Sequence, residues 1–262
     1  MSYMVEVKNL TKSFSALSEN GEDIHVVLDK ISFNVEEGVS FVVFGRSGSG
    51  KSVLLKCMVG LMEPDSGDIL IEGNSVLHLP IEELNKVRKQ IGFLFQGSAL
   101  YDSMTVKENL EFPLIRNFDF SSQEREEKIK TVLEKVGLEK AINKMPAELS
   151  GGMKKRIGLA RTIITEPKLI LYDEPTTGLD PITTKEISQL IVELQKDMNV
   201  TSVVVTHDLI CAKIVADRAI VLKDAKIGFQ GNINDLVNSK DNFLKDFFST
   251  EILEAIPENS NG

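Results

Sequence analysis

Gly45-Arg46-Ser47-Gly48-Ser49-Gly50-Lys51-Ser52 decides how this chain of 262 residues folds. The run fits G-x-x-x-x-G-K-[ST]. Ahead of it, Phe41-Val42-Val43-Phe44 is apolar and β-prone; behind it, Val53-Leu54-Leu55-Lys56-Cys57-Met58 suits a helix. A strand feeding a glycine loop and then a helix lets backbone N–H groups close around a polyphosphate, with the positive helix N-terminus behind them. In that frame Lys51 reaches the β- and γ-phosphates and Ser52 holds Mg²⁺. The fold class implied is α/β.

Working outward, Val26-Val27-Leu28, 31–35, 39–44, 69–73 and 91–95 read as strands separated by turns. The pattern changes near residue 101. Ser121-Ser122-Gln123-Glu124 has the form of a capping box. Ile129, Val132, Leu133 and Val136 then come at helical spacing, and Gly137 can close the helix. The α/β pattern resumes with strands at 168–172 and 201–205, each followed by a helix; the first begins at Asp180-Pro181, with proline in its first turn. Residues 219–222 and 226–229 read as a hairpin, 241–249 as a short helix, and 257–262 as a disordered tail. The expected division is an α/β core from 1–100 and 166–240, a helical subdomain at 101–165, and a terminal helix and tail at 241–262.

Composition narrows the partners. The net charge of −9 disfavours nonspecific nucleic-acid binding, and no nucleic-acid partner is expected. Cys57 and Cys211, far apart and without C-x-x-C spacing, suit a reducing compartment; Cys57 reads as a buried structural thiol. The first eight residues alternate like an edge strand rather than a leader peptide. The apolar runs are strand-sized, well short of the ~20 residues of a membrane helix. A membrane process served by this chain needs another chain to do the spanning.

Three more strand ends carry fitting chemistry. The run 169–172 ends in Asp173 and Glu174, and strand alternation lets the two carboxylates take different tasks. Asp173 suits orienting Mg²⁺, and Glu174 suits polarising the attacking water as a general base. Gln96 follows Phe93-Leu94-Phe95, where an amide can ligate Mg²⁺ and hold the water. His207 follows 201–206, and its imidazole can donate to a γ-phosphate. His25 and His78 carry no such expectation. Leu149-Ser150-Gly151-Gly152-Met153 opens a helix with Ser150 as N-cap. It reads either as a plain cap or as a bare anion site completing the nucleotide site of another subunit.

Taken in order over nearly the whole chain, these residues resemble the ATPase subunits of ABC transporters. The resemblance implies a P-loop NTPase core of ABC ATPase type, with an inserted helical subdomain and an N-terminal antiparallel β region. It makes 45–52 the Walker A loop, Gln96 the Q-loop, 149–153 the signature, Asp173 and Glu174 the Walker B acids, 177–180 the D-loop and His207 the switch. By that resemblance Glu174, His207, Gln96 and Lys51 are catalytic, and Ser52, Gln96 and Asp173 hold Mg²⁺. ATP is contacted by Phe14, Gly45, Arg46, Ser47, Gly48, Ser49, Gly50, Lys51, Ser52, Val53, Ser150, Gly151, Gly152 and Asp180. Phe14 stands where the family stacks adenine on an aromatic, its other reading being a core phenylalanine; the polar stretch 15–23 lengthens the next connection beyond the family's usual hairpin. Two copies would form a head-to-tail homodimer around two ATP.

The signature ends in Met153 where the family commonly has Gln, and methionine hydrogen-bonds weakly. This departure, with the stretches 95–106, 111–114 and 145–156, is similar to the Mla/Mce-type phospholipid transport ATPases (the MlaF-like branch). That branch implies an ATPase pair on the cytoplasmic face of the inner membrane, under an integral-membrane permease (MlaE-like), with a lipid-binding Mce-domain protein in the complex. The family groove between core and helical insert receives a permease helix. Leu100, Tyr101 and Met104 are either its apolar anchors or packing inside the subdomain. Other readings are an ABC ATPase of a different importer or exporter, and a soluble ABC ATPase of the Fe–S assembly kind.

Overall fold

A computed structural model describes residues 2–18 and 21–237. The expected helix at 241–249 and the tail at 257–262 lie outside the described residues.

Two sheets organise the chain. The first is antiparallel, in the order β2-β1-β4-β5, built from β1 (Tyr3–Ser18), β2 (Gly21–Glu36), β4 (Ser66–Ile71) and β5 (Asn74–Ser75). The second runs β10-β9-β3-β8-β7-β6. Its strands are β3 (Ser40–Gly45), β6 (Ile91–Leu94), β7 (Leu169–Asp173), β8 (Thr201–Thr206), β9 (Arg218–Lys223) and β10 (Lys226–Asn232). Every pairing in it is parallel except β9 with β10. Residues of β3, β7 and β8 are buried throughout. That explains their unbroken apolar runs, because parallel strands in the middle of a sheet are covered on both faces.

Alternation within those strands divides the core. Val42, Phe44, Ile170, Tyr172 and Val204 face a cluster with the helices α3 (Val106–Asn117), α4 (Ser122–Val136), α5 (Gly151–Ile163), α6 (Pro181–Met198) and α7 (Leu209–Val215). Phe41, Val43, Leu171, Val203 and Val205 face a second cluster, with the antiparallel sheet and α1 (Lys51–Met58). A short α8 (Ile233–Val237) comes after β10.

Local signals act as the sequence predicts in the helical segment between β6 and β7. Both arms of the Ser121–Glu124 capping box form, Ile129, Val132, Leu133 and Val136 are buried, and Gly137 ends α4 with φ 67°. Cys57 is buried, and desolvation pushes its thiol up to about 11.

The first hundred residues differ from expectation in four ways. The polar stretch 15–23 does not lengthen a connection: the β1–β2 ladder continues through it, Ser15 pairing with Ile24 and Ser18 with Gly21. The N-terminal strand is no edge: β1 pairs with β2 on one side and β4 on the other. Its alternation reports one buried and one wetter face, which any antiparallel strand can show. Val26–Leu28 and 31–35 belong to one strand, β2, interrupted by Lys30 at φ 51°, where the register with β1 shifts. An additional helix, α2 (Ile81–Arg88), is only about two turns long; Leu84 is buried and Val87 packs beside it, an apolar spacing too short to separate from a loop, while Glu82 and Glu83 in its first turn and Lys86 and Arg88 in its last complement the helix dipole.

The helix α5 lies against β6 and the Gln96–Ala99 segment, and two glycines, Gly92 and Gly158, permit the approach. A Cβ on Gly92 would sit 2.8 Å from both the Thr162 carbonyl oxygen and its Cγ2. Gly92→Ala should therefore destabilise the protein by about 1–3 kcal/mol through overpacking. A thermal melt should show a Tm several degrees lower, and an unchanged Tm would mean that α5 shifts freely.

Candidate functional site

The parallel strands β3, β6, β7 and β8 all end on one side of the sheet, and the phosphate loop, Gln96, the Asp173–Glu174 pair and His207 lie at or just beyond those ends, whereas Phe14 lies on β1 of the other sheet. The carboxyl ends of parallel strands are where α/β sheets bind ligands. After β3 the chain turns through Gly45–Gly50 into α1. Gly50 is required there: its φ is 96°, and a Cβ would lie 2.8 Å from the Val27 carbonyl oxygen.

Lys51 opens α1 and is buried. Its ammonium donates to the carbonyls of Gly45 (2.7 Å) and Arg46 (3.0 Å), and lies 3.2 Å from Glu174 Oε1. Three N–H donors thus meet three acceptors. The Ser49 hydroxyl is buried with no hydrogen-bond partner among the described residues, as fits a loop shaped for a phosphate.

Asp173 and Glu174 take separate partners. Ser52 Oγ donates to Asp173 Oδ1 at 2.8 Å. Burial, with the neighbouring Glu174 charge, raises the Asp173 pKa against the lowering effects of Ser52, Lys56 and Lys51. A buried carboxylate short of positive partners, a hydroxyl beside it and the Gln96 amide across the pocket form an all-oxygen donor set that fits Mg²⁺. Glu174 Oε2 lies 2.8 Å from His207 Nδ1 and also accepts the His207 backbone N–H. Burial pushes the Glu174 pKa upward, but the His207 hydrogen bond and the Lys51 charge outweigh it, and the carboxyl is held below its ordinary value. An ionised Glu174 can only accept, so His207 Nδ1 carries the proton in this contact. Its Nε2 can donate as well only in the imidazolium form.

One cavity of about 340 Å³ gathers Ser47, Gly48, Gly50, Lys51, Ser52, Val53, Gln96, Glu174 and His207. Arg46 lines the adjoining cavity of about 1080 Å³ on the outer side of the loop. His25, which sequence reasoning passed over, lines both. It stands opposite Phe14 in the β1–β2 ladder, a relation visible only once the strands are paired. Phe14 is 41% exposed, which removes the core reading.

Ser150, Gly151, Gly152 and Asp180 are not brought to this cavity within the chain. Ser150 caps α5, its hydroxyl accepting the Met153 N–H at 3.3 Å. Gly151 and Gly152 face Leu179 and Thr183. Asp180 caps α6, accepting the N–H groups of Ile182 and Thr183; the Thr183 hydrogen bonds hold its carboxyl below the usual range. Met153 packs its side chain against the helical core. A residue missed from sequence is Lys155, buried on α5, whose ammonium donates to the carbonyls of Gln96 (2.5 Å) and Glu174 (3.4 Å). Desolvation lowers its pKa, while Glu174 and Asp173 oppose that shift.

A groove of about 690 Å³ lies between the core and the helical segment, lined by Phe93, Phe95, Pro113, Arg116, Phe118 and Arg161 among others. Leu100, Tyr101 and Met104 do not line it. Leu100 packs on the helical core, and the Tyr101 ring rests 5.0 Å from Phe112 and 4.7 Å from the Arg161 guanidinium. Among the described residues no helix is long and apolar enough to cross a membrane.

The loop, the acid pair and the strand order define a P-loop nucleotide hydrolase. More narrowly, the ABC transporter family pattern matches residues 28–177, more than half of the chain, and the chain belongs to that family as one of its ATPases. It is 38% identical over 234 residues to the methionine import ATP-binding protein MetN of Protochlamydia amoebophila, spanning 89% of this chain and 68% of that relative. It is 37% identical over 248 residues to the intermembrane phospholipid transport system ATP-binding protein MlaF of Haemophilus influenzae, spanning 95% and 91%. Among solved structures, the dimeric post-hydrolysis state of the ATP-binding cassette MJ0796, bound to ADP and Pi, superposes with a TM-score of 0.79 at 35% identity, covering 88% of this chain and 99% of that one.

The His207 contact is testable without turnover. His207→Ala should raise the midpoint in an NMR titration of the Glu174 carboxyl carbon, because one of the interactions holding the carboxylate ionised is gone. An unmoved midpoint would show that the imidazole does not tune Glu174.

Proposed function

We propose that this chain is the ATP-hydrolysing subunit of a membrane transporter, working as a homodimer on the cytoplasmic face of the membrane. The observation that carries this reading is the meeting of Lys51, Glu174 and His207 in one cavity with the Ser52–Asp173 pair beside them. Lys51 exchanges its Glu174 contact for the β/γ-phosphate oxygens of ATP. Glu174, freed of that ion pair, takes a proton from the attacking water, and the products are ADP and phosphate. His207 orients the carboxylate and meets the γ-phosphate. Ser52, Asp173 and Gln96 hold Mg²⁺, which when bound neutralises phosphate charge. Ser150, Gly151 and Gly152 contact the nucleotide of the partner subunit; that they do not line the cavity of this chain's own phosphate loop supports action in trans. Phe14 takes the adenine, and Asp180 contributes from the D-loop.

The cargo is read from finer features. Met153 in place of glutamine, the Gln96 stretch and the likeness to MlaF support phospholipid movement between membranes, with a permease and an Mce-domain protein as partners. The likeness to MetN supports methionine import as the second reading. The permease helix docks in the groove beside Phe95, which is 39% exposed and continues into an apolar surface with Leu61 and Phe93.

Two outcomes are expected. Glu174→Gln keeps ATP binding and slows hydrolysis about 10²–10⁴-fold, the worth of a positioned base; a wild-type rate would remove Glu174 from that role. Phe95→Ser weakens copurification of the permease while the Tm and ATP affinity hold. The copurified permease, tested for ATPase stimulation by phospholipid or by methionine, separates the two cargoes.

A further inference from the structure

Lys155 is a buried lysine that the proposed chemistry leaves unused. It stands on α5, the helix that Ser150 caps, and is 5% exposed. A lysine so placed must satisfy its ammonium or lose several kcal/mol to desolvation. Its acceptors are two main-chain carbonyls from two different strand ends, Gln96 after β6 at 2.5 Å and Glu174 after β7 at 3.4 Å.

Both acceptor segments have unusual backbone that needs holding. Glu174 sits at φ 50°, where an L-residue carries strain. Its N–H donates to the Val205 carbonyl, and its carbonyl also accepts from Thr177. Ser98 and Ala99, just after Gln96, have φ of 62° and 48°. The same face of α5 holds that segment at two further points. A Cβ on Gly158 would lie 3.0 Å from Ser98 Cβ, and Arg161 donates to the Ala99 carbonyl. Residues 155, 158 and 161 are three apart, so they stack along one side of the helix. Of the three, only Lys155 also reaches the Glu174 main chain.

We infer that Lys155 is a positioning residue for ATP hydrolysis: its ammonium ties the Gln96 and Glu174 main chains to α5, setting the spacing of the amide and carboxylate that flank the attacking water. This rests on the reading of Glu174 and Gln96 given above. A displacement of the order of 1 Å at such groups costs about 10²-fold in rate. The tether also connects each subunit's hydrolytic groups to the helix whose N-terminus carries the signature, so a movement of α5 reaches Gln96 and Glu174 together through this side chain.

The test uses the full chain, with kcat and KM for ATP, nucleotide Kd and Tm measured for Lys155→Met and Lys155→Arg. The methionine variant fills the same volume without donors. It should lose about 10–100-fold in kcat, with ATP Kd and Tm near wild type. Lys155→Arg, which restores several N–H donors, should recover most of that loss. A wild-type kcat in Lys155→Met overturns the inference. So does a loss of kcat, Kd and Tm together that arginine fails to recover, since that marks plain packing. If Lys155→Met does not fold, Lys155→Gln, with a shorter donor, should show the same split between kcat and Kd, and a wild-type kcat there overturns it. Glu174→Gln run alongside separates the two claims: a wild-type rate in that variant strikes the base assignment and not the tether.

Discussion

The parallel pairing of β3, β8, β7 and β6 is the constraint on which the rest depends. Phe44 pairs with Thr206, Asp173 with Val205, and Leu94 with Tyr172, so the four strands finish nearly level. Parallel strands have no tight turns between them; each must exit through a loop and return by a crossover. Those exits are the phosphate loop, the Gln96 segment, the acid pair and His207. Side chains as far apart in sequence as Lys51 and His207, 156 positions, come together because hydrogen bonding fixes the strand ends.

Charge placement is a consequence of that geometry. Lys51, Lys155, Asp173 and Glu174 are all buried, and such charges persist only when paired or hydrogen-bonded. Lys51 is shared between loop carbonyls and Glu174, whereas Asp173 has a neutral serine as its near partner. The site is thus fully paired at Glu174 and underpaired at Asp173. The first is an arrangement that a phosphate can exchange into, and the second is a place for a cation. On the far side α5 carries Lys155, Gly158 and Arg161 against the Gln96–Ala99 segment. The helical insert is therefore joined to the catalytic ends by side-chain contacts as well as by the chain itself.

Sequence reasoning did well where a residue's task depends on its immediate neighbours. The Ser121–Glu124 box, the Gly137 cap, the helix start at Asp180-Pro181 and the apolar stripe of α4 all act within one or two turns, so their spacing carries the information. It did poorly where the decisive partner is distant. β1 was expected at an edge because alternation measures facial burial and is silent on strand neighbours. α2 is hard to read because its apolar spacing, Leu84 with Val87, spans barely one turn. Nothing in the sequence sets Lys155 apart from Lys154 and Arg156, and only the packing of α5 takes it out of solvent. Composition leaves Leu100, Tyr101 and Met104 either as groove anchors or as packing inside the subdomain; the groove is lined instead by Phe93, Phe95, Pro113 and Phe118, and Leu100 packs on the helical core.

By itself, then, the sequence determined the phosphate loop, the strand-borne acids, the order of the motifs and the α/β class. Those rest on local spacing, backbone conformational freedom and burial period, which are properties of short stretches. Tertiary structure alone decided that Glu174 would be held between Lys51 and His207, that His25 would stand opposite Phe14, that the Ser150–Gly152 turn would lie away from its own phosphate loop, and that Lys155 would bridge two strand ends. The physical reason is that all four depend on long-range geometry. A hydrogen bond or ion pair requires two groups within about 3 Å, and for partners far apart in sequence that distance is set by strand register and helix packing, which depend on the whole core.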